Sequence, residues 1–287
     1  MPKKKKGSVQ KKQSNDDGYP KVSILTPLYN RSKWLPLMLA NVCHFEYDKK
    51  KLEWFILDSK DGDEDIKLFN NEEEIKIVRD MIAPIKLKYV YVNRKMTIAE
   101  KRTYLTKNMT YPWFCNVDSD DLYFEQYLKY SIDLCRKNKV NFAGSPQMIF
   151  CWPHRDFEIS AIECPAKRQS HEATFVGTKK YAASMGYYSR SDDKGEGAAL
   201  VDGNENNMVK SECKNCMMCI CHNRNTCNKD LFIGANVQEI KGQGTKFEIL
   251  REIMKDEIEG GAKNLSQFTI KDPPPEKNVS DIKDVGK

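Results

Sequence analysis

Three carboxylates stand within four residues at the point where an apolar run stops: Trp113-Phe114-Cys115-Asn116-Val117 leads straight into Asp118-Ser119-Asp120-Asp121. A run of this length and polarity reads as a strand buried on both faces, and open α/β sheets bind their ligands beyond the C-terminal ends of such strands. Like charges gathered there call for a cation. Mn²⁺ or Mg²⁺ suits them, since these hard ions take one or two protein carboxylates and leave the other positions to substrate phosphates. The plainer reading makes Asp120 or Asp121 the cap of an acidic helix N-terminus. His222 closes a later apolar run, Cys216 to Cys221, as the acids close theirs. If the sheet is continuous, its imidazole arrives near Asp118 and Asp120, where it could ligate the metal or touch a diphosphate; otherwise it is a surface histidine at a strand end.

The elements that must position these groups alternate between strand and helix. Val22 to Leu28 is strand-like, and Tyr29-Asn30-Arg31-Ser32 leads to a helix with Leu35, Met38, Leu39 and Val42 at helical spacing. Trp54 to Asp58 and Lys88 to Val92 are further strand-like runs, the first ending in an acid. After Lys95-Met96-Thr97 comes a helix with the stripe Ile98, Leu105, Met109, and Arg102 lies on that stripe. Its guanidinium is therefore aimed toward the sheet, where a buried cation needs an anion. The alternative is an arginine that snorkels to solvent.

The order Val-Ser-Ile-Leu-Thr-Pro-Leu-Tyr-Asn-Arg, Trp-Phe-Ile-Leu-Asp-Ser-Lys-Asp-Gly-Asp, Met-Thr-Ile-Ala-Glu-Lys-Arg and Asn-Val-Asp-Ser-Asp-Asp, over about residues 20 to 125, resembles the nucleotide-binding half of family 2 glycosyltransferases. Cys221-His222-Asn223-Arg224-Asn225-Thr226 is similar to that family's later histidine element. One departure is plain: the usual Asp-Asp-Gly-Ser after the second strand is here Asp58-Ser59-Lys60-Asp61-Gly62-Asp63.

The resemblance implies a GT-A fold, an α/β/α sandwich around a mostly parallel mixed sheet. It also implies transfer of a sugar from a nucleoside-diphosphate sugar, a UDP-sugar first, to a hydroxyl of a glycan, protein or small-molecule acceptor. Asp118, Asp120 and His222 would hold Mn²⁺ or Mg²⁺. Thr26, Tyr29, Asn30 and Asp58 would hold the nucleoside, with Asp118, Ser119 and Arg102 on the diphosphate side. Ser191-Asp192-Asp193-Lys194-Gly195-Glu196-Gly197 is an acidic, glycine-flanked turn, where an acid can approach a ligand closely and serve as general base. By position it resembles the family's catalytic segment, which makes Glu196 the base of an inverting transfer and Asp193 and Asp192 its rivals. A plain loop is the alternative.

Composition bounds these readings. In 287 residues, 40% hydrophobic, there is room for one sizeable core or two modest ones. No apolar run nears the roughly 20 residues of a membrane span or forms a signal-peptide core, so a soluble, cytoplasmic protein without a transmembrane segment is expected. Net charge is +6, and Lys3 to Lys6 with Lys11 and Lys12 supply much of it from the N-terminal tail. A near-neutral body argues against nucleic acid as partner. The expected organisation is a disordered basic tail (1–19), the nucleotide-sugar half (20–125) and acceptor half (126–244) of one domain, a C-terminal helix (245–260) and a flexible, proline-containing tail (261–287).

In the acceptor half, 141–145, 147–150 and 174–178 read as strands, and Lys179 to Met185 as a short helix ended by Gly186. Cys213, Cys216, Cys219, Cys221 and Cys227 crowd around His222 and offer a zinc-bearing binding module as an alternative function. Met217, Met218 and Ile220 fill the gaps, however, so the stretch also reads as a buried strand whose thiols act as small apolar groups. A metal-dependent nucleotidyltransferase would share the acids but should carry a glycine-rich loop where Thr26-Pro27-Leu28-Tyr29-Asn30-Arg31 stands.

Overall fold

The longest apolar runs of the N-terminal half pair side by side. The computed structural model describes residues 17–60, 67–163, 170–188, 195–225, 229–235, 245–256 and 258. Strands β1 (Val22–Leu28), β2 (Leu52–Ser59), β3 (Lys86–Val92) and β4 (Trp113–Asn116) lie parallel in the order β3-β2-β1-β4. Every residue of β1 and β2 is buried, as central parallel strands require, while the edge strand β3 is partly exposed and carries Lys86 and Lys88. Side chains alternate between two cores. Ile24, Trp54 and Ile56 point into one, with Trp34, Leu37 and Phe150; Leu25, Phe55 and Leu57 point into the other, with Leu105, Phe114 and Phe175.

Helices α1 (Leu35–His44), α2 (Glu72–Met81) and α3 (Ile98–Asn108) make the crossovers. A proline in its first turn starts α1. A capping box starts α3: the Glu100 N–H donates to Thr97 Oγ1 at 3.1 Å, and the Thr97 N–H donates to Glu100 Oε2 at 2.8 Å. This cap fixes the rotation of α3, whose buried face includes Ala99, Arg102, Leu105 and Thr106.

Beyond β4 the sheet becomes mixed. β9 (His171–Thr178) runs antiparallel to β4, β6 (Phe142–Ser145) antiparallel to β9, and the two-residue β10 (Val209–Lys210) parallel to β6. A second sheet of four strands has the order β5 (Leu122–Tyr123), β11 (Met217–Ile220), β7 (Gln147–Trp152), β8 (Glu158–Glu163). Helix α4 (Tyr127–Asn138) buries Leu128 and Ile132 in the first core, and α7 (Thr245–Ile253) adds Phe247 and Leu250. Helices α5 (Lys179–Ser184) and α6 (Ala198–Val201) cover the opposite face. Helices α2 and α4 and strand β8 are additions to the elements read from sequence. At the N-terminus, Tyr19 is tied to the body: its hydroxyl donates to the Asp133 carboxylate at 2.8 Å. Among the described residues no helix is long and apolar enough to cross a membrane.

Candidate active site

The ladder between β1 and β4 continues one step past the strand, with the Val117 N–H donating to the Leu25 carbonyl at 3.0 Å, and the acids follow at once. Their loop is held from three sides. The Asp118 N–H donates to the Tyr123 hydroxyl at 2.8 Å, and that hydroxyl donates to the Ala173 carbonyl of β9 at 3.1 Å. Asn41 on α1 donates to the Asp121 carbonyl and accepts from the Tyr123 N–H, at 2.8 and 3.0 Å. Asp121 itself turns inward, where its carboxylate accepts the Ile220 N–H of β11 at 3.0 Å. Burial pushes its pKa up to about 7. Asp121 thus joins the two sheets and leaves Asp118 and Asp120 as the partly exposed acids of the loop.

Those two acids meet different cations. Arg102 donates from Nη2 to both oxygens of Asp118, at 2.9 and 3.0 Å, and from Nε to Glu196 Oε1 at 2.8 Å. Burial pushes the Asp118 carboxyl upward despite the guanidinium, with repulsion from Asp120 and Glu196 adding to it. Asp120 is paired through Oδ2 with Arg31 Nε and His222 Nε2, each at 3.0 Å. For Asp120, burial works upward, but the His222 hydrogen bond and the Arg31 charge outweigh it and hold the carboxyl well below the usual range. The Arg224 N–H donates to His222 Nδ1 at 3.2 Å, which puts the imidazole proton on Nε2, facing Asp120. Asn225 fastens this turn by accepting the His222 N–H at 2.8 Å, and Trp34 packs against the ring at 4.8 Å between centroids.

The other candidates are spread around this centre. Thr26 lies inside β1, fully buried, and its hydroxyl accepts the Trp54 indole N–H at 3.0 Å. Tyr29 is exposed beyond β1, with the Lys101 ammonium 5.4 Å from its ring centre, and Asn30 follows in the left-handed region at φ 47°. Asp58 is buried at the end of β2, accepting the Leu68 N–H and the Tyr89 hydroxyl, both at 2.9 Å; burial raises its pKa. Ser119 is buried between the two partly exposed acids. Asp193, Asp192 and Cys227 lie outside the described residues. Two groups at the site were missed in the sequence. Arg31 sits in the loop after β1, a position on the correct sheet edge that could have marked it. Glu172, whose carboxylate accepts the Gly197 N–H at 3.2 Å, had no local signal.

Among the described residues no three His, Cys, Asp or Glu side chains converge as a ready metal site. Asp120 and His222 are together, while Asp118 is turned to Arg102. One or two carboxylates at a sheet edge, beside arginines, nevertheless suit Mn²⁺ or Mg²⁺, whose remaining ligands are substrate phosphates and water. The cysteines make a different environment. Cys213, Cys216 and Cys221 contact the carbonyls of Met217, Glu212 and Cys219, and burial pushes the thiols up, Cys213 to about 11 and Cys221 to about 12. Protonated thiols buried in the turn before β11 and just after it are packing groups.

A parallel nucleus with acids at the end of its fourth strand, extended by an antiparallel strand, is the architecture of a GT-A glycosyltransferase. The family model described as Glycosyl transferase family 2 matches residues 23–192, more than half of the chain, and the chain belongs to that family. Comparison with curated proteins gave no sequence match. Among solved structures, the chain is similar to a mannosyltransferase, PcManGT from Pyrobaculum calidifontis, in complex with GDP-Man and Mn²⁺. Identity is 14% and TM-score 0.53, over 90% of this chain and 67% of that one. It is also similar to residues 1–349 of S. aureus TarS in complex with UDP, at 14% identity and TM-score 0.52, over 88% and 75%. The UDP-GlcNAc complex of TarS gives 15% and 0.51, over 86% and 71%. At these identities the likeness is one of fold.

Proposed function

We propose that this glycosyltransferase moves a sugar from a nucleoside-diphosphate sugar to an acceptor hydroxyl with inversion at the anomeric carbon, and that Asp118 and Asp120 hold Mn²⁺ or Mg²⁺ against the diphosphate. The observation that carries the reading is the pair of ion clusters at the end of β4, Arg102 with Asp118 and Glu196, and Asp120 with Arg31 and His222. Two arginines and two acids on one sheet edge match a ligand that carries phosphate charge and a cation together.

The chemistry follows from where charge develops. As the bond to the donor breaks, negative charge grows on the leaving diphosphate; a bound divalent ion would supply Lewis-acid stabilisation there. Arg102 and Arg31 add fixed positive charge beside the phosphates without reorganisation at the moment of transfer. Tyr29 and Asn30 beyond β1 and Asp58 near the end of β2 form the nucleoside side. Asp58 engages the nucleoside only by sharing or giving up its present partners, and Thr26 contributes by supporting Trp54. A carboxylate on the side of β9 and the Glu196 turn takes the hydroxyl proton. UDP-sugars are the first donors to try, with GDP-sugars next, since the solved structures of similar fold hold GDP-Man, UDP and UDP-GlcNAc. Glycans, proteins and small molecules are all open as acceptors.

Thermal denaturation against a panel of UDP- and GDP-sugars, with and without Mn²⁺, tests this. The expected result is stabilisation by at least one of them that is larger with Mn²⁺ than with EDTA. No stabilisation by any nucleotide sugar or nucleoside diphosphate would count against the reading.

A further inference from the structure

We propose that Glu172, at the start of β9, is the base that takes the proton from the acceptor hydroxyl, and that Glu196 serves to hold Arg102. This rests on the transferase reading above and reassigns one role within it.

The strand register brings Glu172 to the site. Cys115 of β4 stands opposite Val176 of β9, so the first residues of β9 flank those that follow β4. The Asn116 side-chain amide donates to the Glu172 carbonyl at 2.8 Å, and the Tyr123 hydroxyl that receives the Asp118 N–H donates to the next carbonyl, that of Ala173. Glu172 is half-buried, so it lies at the edge of the core rather than inside it.

Glu196 is poorly placed to be the base. It is buried and paired at 2.8 Å with Arg102, which also grips Asp118. Its carboxylate is thus engaged in holding the guanidinium in place. Beside it, residue 197 is glycine. A Cβ there would stand 2.5 Å from Glu172 Cγ and 2.6 Å from Phe175 Cε2. Glu172 thus fills the space in which a side chain at 197 would lie, and its Oε1 is fixed by the Gly197 N–H.

The electrostatic surroundings suit proton uptake. Facing Glu172 are Glu196 from the turn before α6, Arg102 from α3, and Tyr188, whose hydroxyl accepts from the Asn116 amide at 3.0 Å. Burial first, and then the Glu196 charge, raise the Glu172 carboxyl to about 7, against the weaker pull of Arg102. A base works best with a pKa near the working pH. One buried nitrogen at this place, Arg102 Nη1, has no hydrogen-bond partner among the described residues. Buried polar atoms are seldom left so, and a sugar hydroxyl or phosphate oxygen would satisfy it.

In the step itself, the acceptor oxygen forms its bond to the anomeric carbon as the bond to the diphosphate breaks. The electron pair leaves with the diphosphate, and the hydroxyl proton passes to Glu172, which ends as a neutral acid.

Glu172→Gln and Glu196→Gln, assayed with Mn²⁺ and whichever nucleotide sugar of the panel the wild type turns over, separate the roles. Release of nucleoside diphosphate is followed with free monosaccharides or water as acceptor. Glu172→Gln keeps an oxygen for the Gly197 N–H, so its thermal midpoint should match the wild type. Its kcat should fall about 10²- to 10⁴-fold with nucleoside diphosphate Kd within twofold, and the wild-type loss of kcat below about pH 7 should vanish. Formate should restore part of the turnover of Glu172→Ala. Glu196→Gln should weaken nucleotide binding instead. Turnover of Glu172→Gln within threefold of wild type, with the acid limb unchanged, overturns the proposal. So does a larger kcat loss in Glu196→Gln with nucleotide binding intact. A wild type that neither binds nor turns over any nucleotide sugar defeats the transferase reading itself, and this assignment with it.

Discussion

Replacing Arg102 with methionine should damage the protein in a way whose size can be worked out. The methionine keeps the packing of the stem against α3's neighbours but removes three charge-assisted hydrogen bonds, two to Asp118 and one to Glu196. Arg102 is 4% exposed, so water cannot take over its role. Stripping one partner from a buried ion pair costs about 3–5 kcal/mol, because the remaining charges stay buried and unpaired. Asp118, whose carboxyl burial already pushes upward, can soften this by binding a proton, so the variant loses stability as the pH rises. Urea denaturation of metal-free protein in EDTA, followed by tryptophan fluorescence and far-UV circular dichroism, measures it. With a slope of about 3 kcal/mol/M, a loss of 4 kcal/mol moves the midpoint by about 1.3 M. Arg102→Lys should fall between, keeping the charge but not the fork. A shift under about 0.3 M at pH 8, with coincident transitions and an unchanged slope, would refute the view that one guanidinium holds both acids in place.

Two other expectations use the same region. Gly197→Ala should cost about 1–3 kcal/mol, since its φ is compatible with alanine and only the close approach of Glu172 and Phe175 opposes it; turnover should drop more than nucleotide affinity, and a variant as stable and active as wild type would contradict the packing described. His171 is half-buried with its Nε2 out of solvent, and desolvation pushes its imidazole down to about 3, so it stays neutral in the fold. Its contribution is complete above about pH 6.5 and is lost as the pH falls toward 3. Urea midpoints between pH 7 and 4 should therefore fall less steeply for His171→Gln than for wild type, and parallel slopes would show that the ring is not what the acid limb reports.

The parallel nucleus was legible in the sequence because strands buried on both faces must be nearly continuous apolar runs, and β1, β2 and β4 are. Arg102 could be read too, since a charged residue on the apolar stripe of an otherwise ordinary helix has to meet an opposite charge. The histidine after Cys221 was found by the same logic as the acids, as a polar group ending a buried run. What escaped was set by contacts distant in sequence. The buried runs of β7 and β11 were legible, but their union in a second sheet was not, since β5, which completes it beside β11, has two residues, too short to show a period. Helix α2 buries only Val78 among Glu72 to Met81 and reads as a charged loop. The division of labour between the acids, Asp118 to Arg102 and Asp120 to Arg31 and His222, depends on which loop meets which strand end. Glu172 becomes visible only once β9 is laid antiparallel against β4, because an acid at the start of a strand is otherwise unremarkable.

The central claim is that the acids after Val117 grip a cation which in turn grips pyrophosphate. Calorimetric titration of the wild type and Asp120→Asn with UDP and GDP, each in Mn²⁺ and in EDTA, tests it most directly. The wild type should bind at least one nucleotide tenfold or more tightly with Mn²⁺, and the variant, of unchanged circular dichroism, should bind it equally weakly in both. An Asp120→Asn protein that keeps the full Mn²⁺ enhancement would contradict the account.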